Sequence, residues 1–299
     1  MNRVLTFYYR KIKPYFLQRP LNSNASQVPF FILSAGRSGS TLLRKMLIAQ
    51  TYVNIPPESD DLIPKLVKFY LRYNHKPWEY IVKQSVRIYQ QESSSVHWQS
   101  EIKDGDLQPL LSLDSNHQSL DQVIRFLYFK YANRHGLNSE RWGDKTPFLL
   151  FRIPWINMVF PKAKMIFLIR DGRAVVNSYL RINKGYSLET AAERWIRSMQ
   201  TIEKQQKNAA ALSKVIRYED LVSQPEKEIK EIVEFLGLTF RPESLKEVFL
   251  GDDDLQHHKN VLQALSPDNI SKWKQEMSKI EIEEVNKMMA PQLRKWNYW

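Results

Sequence analysis

The chain has 299 residues, 44 Lys and Arg against 32 Asp and Glu, and a formal charge of +12. Its length allows a large core and one sizeable α/β domain with an insertion. The absence of cysteine excludes disulfides, a cysteine nucleophile and cysteine-ligated zinc, and fits a cytoplasmic location, while no apolar run approaches the ~18 residues of a membrane span.

The positive charge suits an anionic ligand, an acidic acceptor, a membrane surface or nucleic acid, without choosing among them. Residues 1–28 read as a basic N-terminal segment. Arg3, Arg10, Lys11, Lys13 and Arg19 stand there with no acid before Glu58. The apolar cluster of Val4, Leu5, Phe7, Tyr8 and Tyr9 is too short for a secretory signal. Residues 1–20 are a candidate for peripheral membrane contact, although a terminal helix packed on the domain is the better reading.

The rest of the chain is organised around residues 29–49. Phe30, Phe31, Ile32 and Leu33 predict a buried strand, Ser34 to Ser40 a glycine-punctuated turn, and Leu42, Leu43, Met46 and Leu47 a helix. Strand, tight loop and helix aim backbone N–H groups and a helix N-terminus at one point, which favours an anion. Gly36 and Gly39 allow close approach. Arg37, Ser38, Ser40 and Thr41 add side-chain donors. The glycines are three apart and no lysine precedes Thr41, so this is not a Walker A loop.

Residues 51–58 predict a short strand ending at Pro56-Pro57. Asp60 and Asp61 then precede a helical pattern as dipole and capping residues. Residues 62–140 carry helical periodicity and many aromatics, including Phe69, Tyr70, Tyr73, Trp78, Tyr80, Tyr89 and Trp98, and read as a mostly helical insertion. The aromatics are better read as core than as a ligand platform. A helix starting near Ser119 or Asp121 should stop at Gly136. Residues 141–147 predict a strand running into a turn, and residues 164–169 a buried strand leading into Arg170 and a further helix. Residues 214–218 predict another strand. Ser223 to Glu226 have the pattern of a capping box, and Gly237 ends the helix that follows. Strands alternating with helices imply a parallel sheet with helices on its faces. Ligands in such sheets sit beyond the carboxyl ends of the strands. The segments 34–41, 58, 144–146 and 170–178 are expected there. His257 and His258 lie beside acids, but without metal-ligand spacing they read as a solvated loop. Residues 257–272 read as a long covering loop.

Taken together, these stretches resemble the sulfotransferases that use 3′-phosphoadenosine-5′-phosphosulfate (PAPS), and especially the branch of tyrosylprotein sulfotransferases and their bacterial relatives. The resemblance spans roughly residues 29–275 as separate patches. Gly36-Arg-Ser-Gly-Ser-Thr41 is similar to the family's 5′-phosphosulfate loop. Arg170 to Ser178, an arginine and a serine eight apart, is similar to its 3′-phosphate motif. The implied fold is α/β and P-loop-like, with three layers: a central parallel sheet flanked by helices, forming one domain over residues 29–299 with its insertion at about 62–140.

The resemblance also implies residue roles. Glu58, 21 residues after Arg37, takes the place of the catalytic base. Lys145 takes that of the lysine at the sulfate–phosphate linkage. Tyr218 and Lys272 take those of a tyrosine and a late lysine on the nucleotide side. Arg181 stands one residue from a further nucleotide-contacting arginine. In the tyrosylprotein enzymes a serine lies near the place held here by His257. The implied co-substrate is PAPS, with no metal. The implied partner is a hydroxyl acceptor (carbohydrate, lipid, small natural product or tyrosine), with no nucleic acid. Two other classes compete: a P-loop kinase-like phosphotransferase, disfavoured by the missing Walker lysine, and a non-catalytic polyanion-binding protein, disfavoured by the dispersal of the basic residues.

Overall fold

The computed structural model describes residues 18–23, 28–50, 52–92, 97–98, 101–137, 139, 141–182, 185–242 and 266–299. Strands β1 (Phe30–Ser34), β2 (Val53–Asn54), β3 (Arg141–Lys145), β4 (Lys164–Ile169) and β5 (Ser213–Arg217) form a parallel sheet in the order β2-β3-β1-β4-β5. Neighbours in this order are far apart in sequence, which in a parallel sheet demands crossover connections. All five residues of β1 are buried, as are Met165–Ile169 of β4. These unbroken apolar runs reflect cover on both faces. A parallel sheet flanked by helices is the expected fold class. By its internal contacts the chain divides into two units, Met1–Phe31 with Tyr52–Lys164, and Ile32–Thr51 with Met165–Trp299.

In the first unit β2 pairs with β3, Val53 opposite Arg141 and Asn54 opposite Trp142. The helices Leu62–Tyr73, Trp78–Gln90 and Leu120–Arg134 supply the expected helical insertion. Several of its aromatics do form core. Trp98 meets Tyr128 edge-on at 4.9 Å, and Tyr128 stacks on Trp142 at 4.0 Å. Asp61 holds the N-cap position of the helix Leu62–Tyr73, yet it makes no cap hydrogen bond. The expected capping role is corrected: its carboxylate accepts instead from Arg152 Nε at 3.1 Å. Ser119 precedes the helix Leu120–Arg134, and Gly136 stops it with φ +64°.

In the second unit β4 pairs with β5 in register from Met165 opposite Ser213 to Ile169 opposite Arg217. The helix Gly172–Arg181 packs on the helices Leu188–Asn208 and Lys279–Lys295. Three sequence expectations need correction here. Ser223 closes the helix Tyr218–Ser223 and caps nothing. The next helix, Pro225–Leu236, starts from Gln224 with proline at its first position, where the ring pre-sets φ and no N–H is needed. Tyr218 opens a helix and does not end a strand. The loop expected over 257–272 is broken by a short helix, Asp268–Ser271, whose Asp268 N–H donates to Ser266 Oγ at 3.3 Å. His257 and His258, like residues 1–17, lie outside the described residues.

Candidate active site

The second unit builds a tight loop after β1. Gly36, Arg37 and Gly39 have φ of +76°, +55° and +91°. This sequence of left-handed residues folds the chain back on itself before the helix Ser40–Gln50 begins. Glycine accommodates such angles freely. At Arg37 the same angle stores strain, of a kind that persists where surrounding structure enforces it. Two tyrosines floor the loop. Tyr179 Oη donates to the Ala35 carbonyl at 2.8 Å and lies under Gly36. The Tyr218 ring lies so close under Gly39 that a methyl group there would sit 2.5 Å from Cδ2. Burial pushes both phenols up, with Arg194 pulling Tyr179 back and Arg170 pulling Tyr218 back; both stay protonated at neutral pH. Ser38 Oγ donates to the Gly36 carbonyl at 3.2 Å, so it braces the loop from within. Ser40 and Thr41 open the helix, where first-turn N–H groups have no intrahelical partner.

The arginine motif after β4 meets this loop directly. Arg37 Nε donates to Ser178 Oγ at 3.1 Å. Arg170 Nη1 donates to the Arg37 carbonyl at 3.2 Å and Nη2 to the Asn269 carbonyl at 2.9 Å. The Arg170 guanidinium lies 4.3 Å from the Tyr218 ring centroid, within cation–π range. Its Nε is buried without a hydrogen-bond partner among the described residues. Asp171 does not pair with Arg170. It caps the helix Gly172–Arg181 by accepting from Arg173 N–H at 2.9 Å, and it takes the Arg173 fork at 3.0 and 2.8 Å. Glu219, pushed up by burial, accepts from Asp171 N–H at 2.9 Å and from Tyr298 Oη at 3.0 Å.

Lys272 and Arg181 share one partner. Glu276 lies 3.4 Å from Lys272 Nζ and 2.9 Å from Arg181 Nε, and it accepts from Asn177 Nδ2 at 2.6 Å. Although its burial works the other way, these donors and charges hold Glu276 below the usual carboxylate range. Sequence reasoning missed Glu276, Tyr179 and Glu219. The four-residue spacing of Lys272 and Glu276 on one short helical stretch was the available signal for the first. Nothing local in the sequence announces the other two, whose partners are distant.

The first unit carries the remaining pair. Lys145 is the last residue of β3 and is 5% exposed. Its Nζ donates to Glu58 Oε1 at 2.8 Å, and the Glu58 side chain is half exposed. A buried ammonium needs such a partner, and the arrangement leaves the carboxylate open to solvent on one side. Among the described residues no cluster of three metal-ligating carboxylate or imidazole groups occurs.

In the first unit a half-exposed carboxylate on a buried lysine can take up a proton; in the second a strand-loop-helix turn crossed by two arginines can hold an anion. Comparison with known proteins gives the family. Residues 29–242 match the description "Sulfotransferase family". The chain therefore belongs to the sulfotransferase family. It is 25% identical over 286 residues to protein-tyrosine sulfotransferase 1 of Danio rerio, covering 94% of this chain and 68% of that protein. It is also 25% identical over 242 residues to protein-tyrosine sulfotransferase A of Caenorhabditis elegans, covering 78% and 53%. The chain thus spans between about half and two thirds of these two relatives. Among solved structures, the sulfotransferase domain of the Synechococcus PCC 7002 olefin synthase shares the fold at TM-score 0.55 and 24% identity, covering 91% of this chain and 95% of that one. The sulfotransferase domain from the curacin biosynthetic pathway does so at TM-score 0.55 and 22% identity, covering 89% and 99%.

Proposed function

We propose that the protein transfers a sulfuryl group from PAPS to an acceptor hydroxyl, with Glu58 as the base. The observation that carries this reading is the joining of the loop at Arg37 to the motif at Arg170 and Ser178. A donor with a phosphosulfate at one end and a separate 3′-phosphate at the other calls for two linked anion sites. The residues fit such a ligand. The left-handed loop leaves no room for side chains at Gly36 and Gly39, and among the described residues the buried Arg170 Nε–H has no hydrogen-bond partner.

When bound, the donor supplies sulfur that a hydroxyl attacks in line, with adenosine 3′,5′-bisphosphate as leaving group. Arg37 and the N–H groups of the loop hold the phosphosulfate. Arg170 and Ser178 hold the 3′-phosphate, with Tyr218 and Lys272 on the nucleotide side. Glu58 takes the proton from the acceptor hydroxyl, a role that typically contributes ~10²–10⁴-fold. Lys145 meets charge that develops on the leaving oxygen, and loss of such a donor typically costs about 2.7–4 kcal/mol. The named relatives are protein-tyrosine sulfotransferases, which makes a phenolic hydroxyl the first acceptor to try. A cytoplasmic location is part of the same proposal.

The test is transfer of radiolabelled sulfur from PAPS to tyrosine peptides, phenols, sugars and lipids. Labelled product is expected from the wild type, and at most about 1% of that rate from Glu58→Gln, which should still bind adenosine 3′,5′-bisphosphate. Magnesium-dependent phosphate transfer from ATP, with no sulfur transfer to any acceptor, would overturn the proposal.

A further inference from the structure

Next to the Glu58–Lys145 pair lies a buried polar rung that the chemistry above does not use. Ser59 follows Glu58 and Thr146 follows Lys145. Ser59 N–H donates to Thr146 Oγ1 at 2.7 Å, and the two hydroxyl oxygens lie 3.1 Å apart. Both side chains are buried, Ser59 fully and Thr146 with 1% exposure. The base and its lysine are thus one rung of a ladder whose next rung is sealed from water. A second contact fixes the same segment, because Trp98 Nε1 donates to the Pro57 carbonyl at 2.9 Å. The chain carrying Glu58 has no regular structure between β2 and the helix Leu62–Tyr73, so its geometry comes from these side chains. Glu58 itself is half exposed and pairs with Lys145; burial does not position it.

We infer that Thr146 is a positioning residue whose hydroxyl, by accepting the Ser59 N–H, fixes the Glu58 carboxylate at the acceptor. Thr146 touches neither donor nor acceptor in this inference and acts through Glu58. It rests on the reading of Glu58 as base. Its consequence is selective. Loss of the hydroxyl frees the Glu58 segment to drift, and a displacement of about 1 Å at a reacting group can cost on the order of 10²-fold. Donor binding, which depends on the loop at Arg37 and the Arg170 motif, is left alone. Threonine in this place supplies the acceptor oxygen; valine keeps the shape and loses the hydroxyl, which also acts on the buried Asp144 carboxyl.

The experiment compares Thr146→Val, Thr146→Ser, Glu58→Gln and the double variant Thr146→Val with Glu58→Gln, all in the full chain. Rates of labelled-sulfur transfer to an active acceptor are measured, alongside calorimetric affinity for adenosine 3′,5′-bisphosphate and the urea unfolding midpoint. Thr146→Val is expected to lower kcat roughly 10- to 100-fold with bisphosphate affinity changed less than about twofold, and Thr146→Ser is expected to recover most of the rate. On the Glu58→Gln background, Thr146→Val should change the residual rate by less than about twofold, because groups acting as a unit are non-additive. If Thr146→Val slows both backgrounds equally, or weakens bisphosphate binding as much as it slows turnover, its role is general to the fold and the inference fails. Full turnover in Thr146→Val beside an inactive Glu58→Gln also overturns it while leaving the base assignment standing. Full turnover in Glu58→Gln overturns the base assignment and this inference together. Should the valine variant not fold, the serine variant decides: a rate near wild type supports the hydroxyl, and a rate lost despite a wild-type unfolding midpoint counts against it.

Discussion

Gly39→Ala isolates how the loop after β1 is made. The residue sits at φ +91°, where an L side chain is strained, and its added methyl would approach Tyr218 Cδ2 to 2.5 Å and Cε2 to 2.7 Å. The backbone term is about 1–2 kcal/mol. The ring cannot simply swing away, since Tyr218 is 2% exposed and lies under the Arg170 guanidinium; overpacking of this kind costs about 1–3 kcal/mol. The two terms together give roughly 2–5 kcal/mol, against a total of about 5–15 kcal/mol for a typical domain, so the variant should fold but melt early. Urea unfolding measures the loss directly. Calorimetry with adenosine 3′,5′-bisphosphate should show weakened binding too, because the displaced ring carries Arg170 with it. The two terms separate in a cycle with Tyr218→Leu, which removes most of the ring. On that background Gly39→Ala should cost only the backbone term, about 1–2 kcal/mol. An equal cost on both backgrounds would refute the packing argument, and no cost on either would refute the conformational one as well.

Arg37→Gly should behave oppositely. It relieves a left-handed non-glycine residue, worth about 1–2 kcal/mol, against an entropic loss of about 0.4–1 kcal/mol in the unfolded chain. The unfolding midpoint should hold or rise while sulfur transfer is lost; a large fall in stability would show that Arg37 is a structural residue. Arg170→Ala removes charge-assisted hydrogen bonds worth about 1.5–3 kcal/mol, so bisphosphate affinity should fall roughly 10- to 150-fold, and unchanged calorimetric affinity would reject its assignment. Asp144, fully buried, is pushed up by desolvation, with Ser59, the Tyr128 hydroxyl that bonds it and Thr146 pulling the other way. A carboxyl raised in the native state binds more protons there than when unfolded, so its contribution to stability is present at low pH and lost as pH rises through the native value. The stability of the wild type relative to Asp144→Asn should therefore decline with rising pH above the ordinary carboxylate range, as followed by urea midpoints; a difference that grows with pH would contradict this sign.

The elements with strong local signals were legible without coordinates. Phe30 to Leu33 and Met165 to Ile169 announced themselves as interior strands because their burial on both faces leaves no polar position. The tight turn after β1 was legible because glycine at Gly36 and Gly39 marks backbone geometry. What stayed hidden depends on partners far away in the chain. Asp61 carries a capping signature but finds Arg152, 91 residues on. The Ser223 to Glu226 pattern failed because the preceding helix runs through Ser223 and proline then starts the next one. The sharing of Glu276 between Lys272 and Arg181 requires knowing where the helix Gly172–Arg181 packs.

The second unit is discontinuous, and that has a consequence during synthesis. The loop residue Arg37 waits for Ser178, 141 residues later. At ribosomal speeds of ~5–20 residues per second, this is roughly 7–28 s. For most of that interval neither β3 nor β4 has been made, and β1 is a bare apolar strand, a segment that nascent-chain chaperones would be well suited to shield.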